Sequence, residues 1–228
     1  VTPIIDNRPG AAGNLATEVV IKSNDGATLL VASNPYINKA LYKKLNYDVD
    51  KDLTPITLLG NGPMVIAVNS ALPVHSIAEL VAHAKKNPGK LNFASSGNGS
   101  SPHLAGVLFN SVLDVNIIHI PFKGGAPAVQ SVIAGDTQVI YGTSPVVLPQ
   151  VRGGRIRALA ITSAERRGGP LKDVPTLKEL GLNTTYEVWR GAFGTPGAAA
   201  HGGRAFASGA RASPSQEPRA RGAGRHGA

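Results

Sequence analysis

A serine- and glycine-rich run over residues 95–101 has the composition of an anion-binding turn. It follows the apolar segment Leu91–Ala94, typical of a strand, and precedes the apolar-periodic segment Leu104–Leu113, typical of a helix. Ser101 suits the helix N-cap, and Pro102 suits the first helical position. Such a turn directs unpaired backbone N–H groups and the positive end of a helix dipole at a carboxylate or a phosphate. A Gly/Ser-rich connection without a ligand has the same composition, so the pattern alone leaves both interpretations open.

The elements that must position this turn alternate along the chain. Strand and helix patterns alternate from Val1 to Thr162, which predicts an α/β fold with mainly parallel sheets. Ser76-Ile77-Ala78-Glu79 is a capping box and predicts a helix start, and a helix over Ala11–Lys22 should turn Leu15 and Val19 inward. The predicted strands are Thr2–Ile5, Thr28–Ala32, Ile56–Leu59, Met64–Val68, Leu91–Ala94, Val115–Ile120, Gln138–Tyr141 and Ala158–Thr162.

Four polar loops follow predicted strands, at Ser33, Ser95, Lys123 and Gly142. In a parallel sheet the ligand lies in the crevice at the carboxyl ends of the strands, so these loops form a candidate binding constellation. None of the four contains an aspartate or a glutamate. That favours a simple carboxylate over an amino acid, whose ammonium group calls for an acidic partner.

Composition sets limits on the function. The chain has 228 residues, a formal net charge of +9 and no cysteine, so disulfides and thiolate metal sites are excluded. No apolar run reaches the ~20 residues that span a bilayer, and no signal peptide is visible. Five arginines and one glutamate follow Ala200 in an Ala/Gly/Ser/Pro-rich segment, which predicts a disordered basic tail over 197–228. That tail has no aromatic interleaving and no nucleic-acid motif, so nucleic-acid binding is not expected.

An enzyme is not expected either. The sequence has no G-x-x-x-x-G-K-[ST] motif, no G-x-G-x-x-G at the first helix and no G-x-S-x-G elbow. His75, His83 and His119 have neither metal-ligand nor catalytic spacing. His103, just inside a predicted helix start, is expected to serve local hydrogen bonding or packing.

Several segments together resemble one family, the Bug-type substrate-binding receptors of the tripartite tricarboxylate transporter system. Each segment alone is a weak match, but their order and spacing over about Val1 to Pro196 are specific. The segments are Asn7–Asn14, Leu41–Asp48, Ser95–Gly106, Pro121–Ala128, Arg155–Ser163, Val174–Leu182 and Trp189 with Gly191.

The resemblance implies a two-domain periplasmic-binding-protein (Venus-flytrap) fold with the ligand in the cleft between the domains. It implies a first domain over 1–65, a second over 66–145, a return to the first over 146–196, and a hinge made of two strands. It further implies a periplasmic monomer without metal or cofactor. The ligand would be a small organic carboxylate or an acidic amino acid, passed to membrane transporter subunits or presented to a membrane sensor.

The resemblance and the loop chemistry together define the candidate ligand-binding residues. A carboxylate at the first turn would accept hydrogen bonds from the amides of Gly97, Gly99 and Ser100 and from serine hydroxyls. Lys123 would add long-range attraction. The complete candidate set is Asn34, Ser95, Ser96, Gly97, Gly99, Ser100, Gly124, Gly125 and Thr143, with Asn34 and Thr143 holding other ends of the ligand.

Two departures from the family pattern lead to further expectations. The first strand, first Pro-Gly-Gly-type loop and first helix of the family are not present, which predicts an incomplete first domain. The resemblance ends near Pro196, where the composition changes abruptly, and this suggests an out-of-frame translation of a GC-rich gene. On these expectations the alternative to a working receptor is a non-functional receptor fragment.

Overall fold

The computed structural model describes residues 4–23, 25–33 and 35–198. The predicted tail beyond residue 198 therefore lies outside the described residues. The helices are α1 (Asn14–Ser23), α2 (Pro35–Leu41), α3 (Val49–Asp52), α4 (Ile77–Lys86), α5 (Ser101–Leu113), α6 (Gly125–Ala134) and α7 (Ser144–Arg152). The strands are β1 (Leu30–Ala32), β2 (Thr54–Asn69), β3 (Asn92–Ser95), β4 (Ile118–Pro121), β5 (Val139–Thr143), β6 (Ile156–Ile161) and β7 (Glu187–Gly194). Short 3-10 turns lie at Ala11–Gly13 and Gly169–Leu171.

The strands form two sheets that share β2. In the first sheet β7 pairs with β1 on one side and with residues 54–63 of β2 on the other, and both pairings are antiparallel. In the second sheet the order is β6–β2–β5–β3–β4, and residues 64–69 of β2 are antiparallel to the other four strands. Apart from β2, the strands of the second sheet all point the same way, which confirms the predicted α/β class with mainly parallel strands there.

β2 is buried on both faces where it crosses the second sheet. Residues 64–68 are at most 1% exposed. Because strand side chains alternate between faces, Met64, Ile66 and Val68 pack with α4 and α5, whereas Val65 and Ala67 pack with α6 and α7. Burying one such large apolar side chain stabilises the fold by about 1.5–3 kcal/mol. The helices therefore cover the second sheet from both sides.

The predicted break in β2 was wrong. Gly60-Asn61-Gly62-Pro63 was expected to separate two strands, but residues 60–63 pair with β7 in one continuous strand. Register shifts between Pro55 and Thr57 and between Leu58 and Gly60 absorb the irregularity as bulges. The tertiary partner, which local composition does not reveal, decides the structure at this point.

The capping box is confirmed. Ser76 is the N-cap of α4 and its Oγ accepts a hydrogen bond from the Glu79 amide at 3.1 Å. The Glu79 carboxylate reaches back to the His75 amide at 2.7 Å. This local chemistry fixes the start of α4 independently of the rest of the fold.

The first part of the chain differs from its prediction. Of the predicted strand Thr2–Ile5, only Ile4 and Ile5 are among the described residues; they are 95% and 84% exposed and belong to no strand, because no described strand pairs with them. Leu15 and Val19 were expected to face inward but are 50% and 40% exposed. The buried face of α1 is Asn14, Thr17 and Val20.

The chain returns to the first sheet later than predicted. β6, in the segment expected to belong to the first domain, pairs with β2 in the second sheet, and β7 then enters the first sheet. The division of the chain into two domains stays a prediction. Among the described residues, no helix is long and apolar enough to cross a bilayer.

A substitution at Gly142 tests how closely α7 packs on β5. An alanine Cβ at this position would lie 2.2 Å from Cγ2 of Val147, a fully buried side chain on α7. We expect Gly142→Ala to lower the free energy of unfolding by about 1–3 kcal/mol, measured by urea denaturation. Gly62→Ala in β2 is the control, because a Cβ there meets nothing within 4 Å. Equal losses in the two variants would contradict the packing argument.

Candidate functional site

Three strand–helix turns lie side by side at one edge of the second sheet. β5, β3 and β4 are adjacent and parallel, so their carboxyl ends point to the same edge. α5, α6 and α7 begin there, with Ser100, Gly124 and Thr143 as N-caps. Among the described residues, none of these three N-caps makes a side-chain capping hydrogen bond. Three helix amino termini therefore face one region without the usual side-chain acceptor.

Contacts between the turns hold them together. The Phe122 amide donates to the Ser95 carbonyl at 2.9 Å, which links the ends of β4 and β3. A Cβ placed on Gly125 would lie 3.3 Å from Cγ2 of Val146, so the starts of α6 and α7 are close. The edge is consequently one surface rather than three separate loops.

The charge of this edge is positive. Three helix dipoles direct their positive ends at it, and Lys123 is exposed beside them. Its turns, residues 95–101, 121–125 and 143–145, contain no aspartate or glutamate. The edge can therefore hold an anion without repulsion from a neighbouring carboxylate.

The loop over residues 95–101 is closed by its own hydrogen bonds. The Gly97 amide donates to Ser95 Oγ at 3.1 Å, and the Ser100 amide and Oγ both donate to the Gly97 carbonyl, at 3.2 and 2.7 Å. The Gly99 amide donates to His103 Nδ1 at 3.1 Å. The three amides expected to bind a carboxylate thus shape the loop in this structure.

The helix α5 starts one residue earlier than predicted, with Ser100 as N-cap and Ser101 in the first turn.

Two histidines stand behind this loop. His119 Nε2 lies 2.6 Å from Ser95 Oγ, and its ring stacks on His103 with a centroid separation of 4.0 Å. Burial, and secondarily the neighbouring His103, lowers the pKa of His119 to about 4. Burial also lowers the pKa of His103. The prediction that His103 serves local hydrogen bonding and packing is confirmed.

A strained turn faces the loop from the other side. Ala11 and Ala12 have φ of 46° and 53°, in the left-handed region that costs a residue with a side chain about 1–2 kcal/mol. Gly10 and Gly13 flank them, also at positive φ. Residues in such conformations cluster at functional sites and persist only where the surroundings impose them. This turn was not among the predicted site residues, although the spacing of Gly10 and Gly13 indicates an unusual backbone.

A buried polar network imposes this conformation. Asn38 is fully buried, and its Nδ2 donates to the Ala12 carbonyl at 3.2 Å and to Asn14 Oδ1 at 2.6 Å. Tyr47 Oη donates to the same Asn14 oxygen at 2.7 Å. Thr17 Oγ1 donates to the Gly13 carbonyl at 3.0 Å. Asn14 and Thr17 of this network lie on the buried face of α1, which explains why Leu15 and Val19 point outward.

The turn and the loop meet. Tyr42 Oη donates to the Asn98 carbonyl at 3.0 Å, which joins the segment after α2 to the loop. A Cβ on Gly99 would lie 3.2 Å from Leu41 Cδ1 and 3.5 Å from Ala12 Cβ, and Gly99 has φ +77°, so this position requires glycine. The loop at the edge of the second sheet and the strained turn are therefore in contact, and the cleft between two domains stays a prediction.

The structure brings most of the predicted site residues together. Eight of them lie on the three adjacent turns: Ser95, Ser96, Gly97, Gly99, Ser100, Gly124, Gly125 and Thr143. Asn34 lies outside the described residues. Direct ligand contact by any of the nine stays a prediction.

The family model described as tripartite tricarboxylate transporter family receptor matches residues 1–209. The chain belongs to this receptor family. The match confirms the predicted resemblance and continues past Pro196, where we expected it to end.

Relatives of this receptor family share sequence and fold with the chain. Protein BugT of Bordetella pertussis is 36% identical over 182 residues, covering 78% of this chain and 56% of BugT. A Rhodopseudomonas palustris structure with adipate has a TM-score of 0.85 at 30% identity, covering 93% of this chain and 73% of that one. MatC of the same organism, with bound malate, has a TM-score of 0.80 at 31% identity, covering 90% and 72%.

These family members are solute-binding proteins rather than enzymes, in agreement with the prediction from the missing catalytic motifs. The chain spans 56–59% of the length of the first two curated relatives that it matches.

The buried network predicts a measurable loss when one member is removed. Asn14→Ala takes away the shared acceptor of Asn38 Nδ2 and Tyr47 Oη, so we expect the free energy of unfolding to fall by about 1–3 kcal/mol in urea denaturation. The control is Asn46→Ala, because the exposed Asn46 amide bonds the Glu18 carboxylate of α1 at the surface. An equal effect of both substitutions would argue against the network.

The lowered pKa of His119 predicts a pH-dependent stability. The folded state favours the neutral ring, so the unfolded state binds a proton first as the pH falls. We expect the free energy of unfolding to decrease from about pH 6.5 to about pH 4 and this slope to be smaller in His119→Gln. Chemical denaturation at several pH values measures both slopes. The same slope in the variant would show that His119 is not the group responsible.

Proposed function

We propose that this chain is the ligand-binding part of a receptor for small organic dicarboxylates. The observation that carries the proposal is the convergence of three helix amino termini without side-chain caps at one sheet edge. An anion there accepts backbone hydrogen bonds and interacts favourably with three dipoles. The family relationship supports the same function.

Two opposed sets of backbone groups favour a ligand with two anionic ends. The first turns of α6 and α7 have amides without intrahelical partners, and the left-handed Gly10–Gly13 turn lies across the cleft. Solved relatives hold adipate and malate, and both ligands carry two carboxyl groups. Neither the loop nor the turn offers a carboxylate for an ammonium group, so an amino acid is the less suitable ligand.

The candidate residues take two roles in this proposal. Gly124, Gly125 and Thr143 begin α6 and α7 and bring amide donors to the ligand. Ser96 contributes from the middle of the first loop, and Ser95, Gly97, Gly99 and Ser100 form its wall. Asn34, which lies outside the described residues, stays a predicted contact.

The wider role follows from the family. We propose that the receptor acts as a periplasmic monomer and delivers its ligand to a membrane transporter of the tripartite tricarboxylate type. Closure of two domains about the cleft, with β2 and β7 as the connecting strands, belongs to the same proposal. Release of ligand to the transporter then requires only that the two sides of the cleft separate.

A negative charge inside the site tests the proposal. We expect the wild-type chain to bind malate or adipate in isothermal titration calorimetry and Ser96→Asp to bind at least about tenfold more weakly, because like charges repel. The melting temperatures of both proteins are measured as well, so that loss of the fold is distinguished from loss of the site.

Asn116→Asp is the matched control. It adds the same charge to the exposed segment before β4, at the opposite edge of the sheet, and should bind like wild type. Failure of the wild-type chain to bind either dicarboxylate, or equal affinities of wild type and Ser96→Asp, would contradict the proposed site.

A further inference from the structure

The hydrogen bond between Gly99 and His103 fixes the protonation state of a side chain inside the ligand-binding loop. The Gly99 amide lies 3.1 Å from His103 Nδ1 and can only donate. His103 Nδ1 must therefore be the unprotonated nitrogen of a neutral ring whose proton is on Nε2. A second proton on the ring would occupy the acceptor that holds Gly99.

The surroundings of His103 oppose an imidazolium. Its ring stacks on His119 at 4.0 Å, and His119 in turn stacks on Phe93 at 4.9 Å. His103 lies in the first turn of α5, where the helix dipole disfavours a cation. Burial lowers the pKa of His103, and it lowers that of His119 to about 4.

The titratable groups on the elements packed around this ring are few. β4 contributes His119, which stacks on the ring. Tyr42, in the segment after α2, bonds the loop at Asn98, and Tyr186 shares a hydrogen bond with Ser101 in the first turn of α5; burial raises the pKa of both tyrosines. β3 contributes no titratable group. Its Ser95 hydroxyl hydrogen-bonds the His119 ring, and its Phe93 ring stacks on His119. Among the described residues, no carboxylate shifts the pKa of either histidine.

The Gly99 peptide is part of the loop and also contacts the first-sheet side, so a small movement of this peptide changes both. It has φ +77° and packs against Leu41, Tyr42 and Ala12 from the opposite side of the cleft. The neighbouring Asn98 carbonyl accepts from Tyr42 Oη. Turning the Gly99 peptide away from His103 would change both the wall of the loop and its contact with the first-sheet side.

We propose that His103 is the positioning residue of the ligand-binding loop and makes dicarboxylate binding sensitive to acid. The neutral ring holds the Gly99 amide and thereby the shape of residues 95–101. Protonation at Nδ1 sets two N–H donors against each other and releases the Gly99 peptide, while the hydrogen bonds among Ser95, Gly97 and Ser100 remain. This inference rests on the proposed dicarboxylate function.

Two substitutions separate the acceptor from the titration. His103→Asn keeps an acceptor oxygen near the position of Nδ1 but has no proton to gain, and His103→Ala removes the acceptor. Malate and adipate affinities are measured for wild type and both variants at about pH 7.5 and in steps down to about pH 4, because burial lowers the pKa of His103 below that of an ordinary histidine. Ligand protonation cancels because all three proteins meet the same ligand at the same pH.

The expected pattern is specific to a titrating acceptor. Wild type loses roughly tenfold in affinity on acidification relative to His103→Asn, as expected for one hydrogen bond. His103→Ala binds about tenfold more weakly than wild type already at neutral pH, and His103→Asn restores most of that affinity. The same pH dependence in wild type and His103→Asn would overturn the inference and leave the proposed function intact.

A readout without ligand keeps the two proposals distinguishable. Nitrogen-15 NMR of the histidine rings in the ligand-free chain at neutral pH should show His103 with a proton on Nε2 and an unprotonated Nδ1. A proton on Nδ1 would overturn the inference whatever the binding result. If the wild-type chain binds neither dicarboxylate, the proposed function fails, and the NMR result still decides whether His103 holds the loop.

Discussion

The continuous strand β2 is the constraint on which the remainder of the structure depends. Its 16 residues pair with β7 in the first sheet and with β5 and β6 in the second. Residues 64–68 are buried on both faces, so the four helices around the second sheet take their positions from this strand. The two sheets are joined because one strand belongs to both of them.

The chemistry of the cleft comes from backbone geometry more than from charged side chains. Three adjacent parallel strands deliver three helix starts to one edge, and a left-handed turn stabilised by buried amides faces them. In the proposed function, such a surface holds an anion through dipoles that are fixed in place before the ligand arrives, so little reorganisation accompanies binding. The histidine pair behind the loop adds rigidity without adding positive charge while both rings are neutral.

Local patterns in the sequence predicted the features that local chemistry determines. The capping box at Ser76 and Glu79, the alternation of strands and helices, and the location of the Ser/Gly turn all follow from neighbours within a few residues. The continuity of β2 did not, because it depends on β7, whose Glu187 meets Asn61 from 126 positions away. The closure of the 95–101 loop on His103, and the use of its amides there, likewise depend on three-dimensional packing.

The apolar periodicity of α1 predicted the wrong buried face. Asn14 and Thr17 are buried and hydrogen-bonded there, and a hydrophobic pattern does not detect buried polar residues.

The network of Asn14, Asn38 and Tyr47 has a consequence for how this sequence can change over time. Each member satisfies another in a buried environment, so replacing one alone leaves a donor or an acceptor without a partner. Replacement of all three by apolar residues would remove the support of the Ala12 carbonyl and with it the left-handed turn. The three positions are therefore expected to vary as a set. A lineage that loses the set has to find another way to hold that turn, or a different ligand.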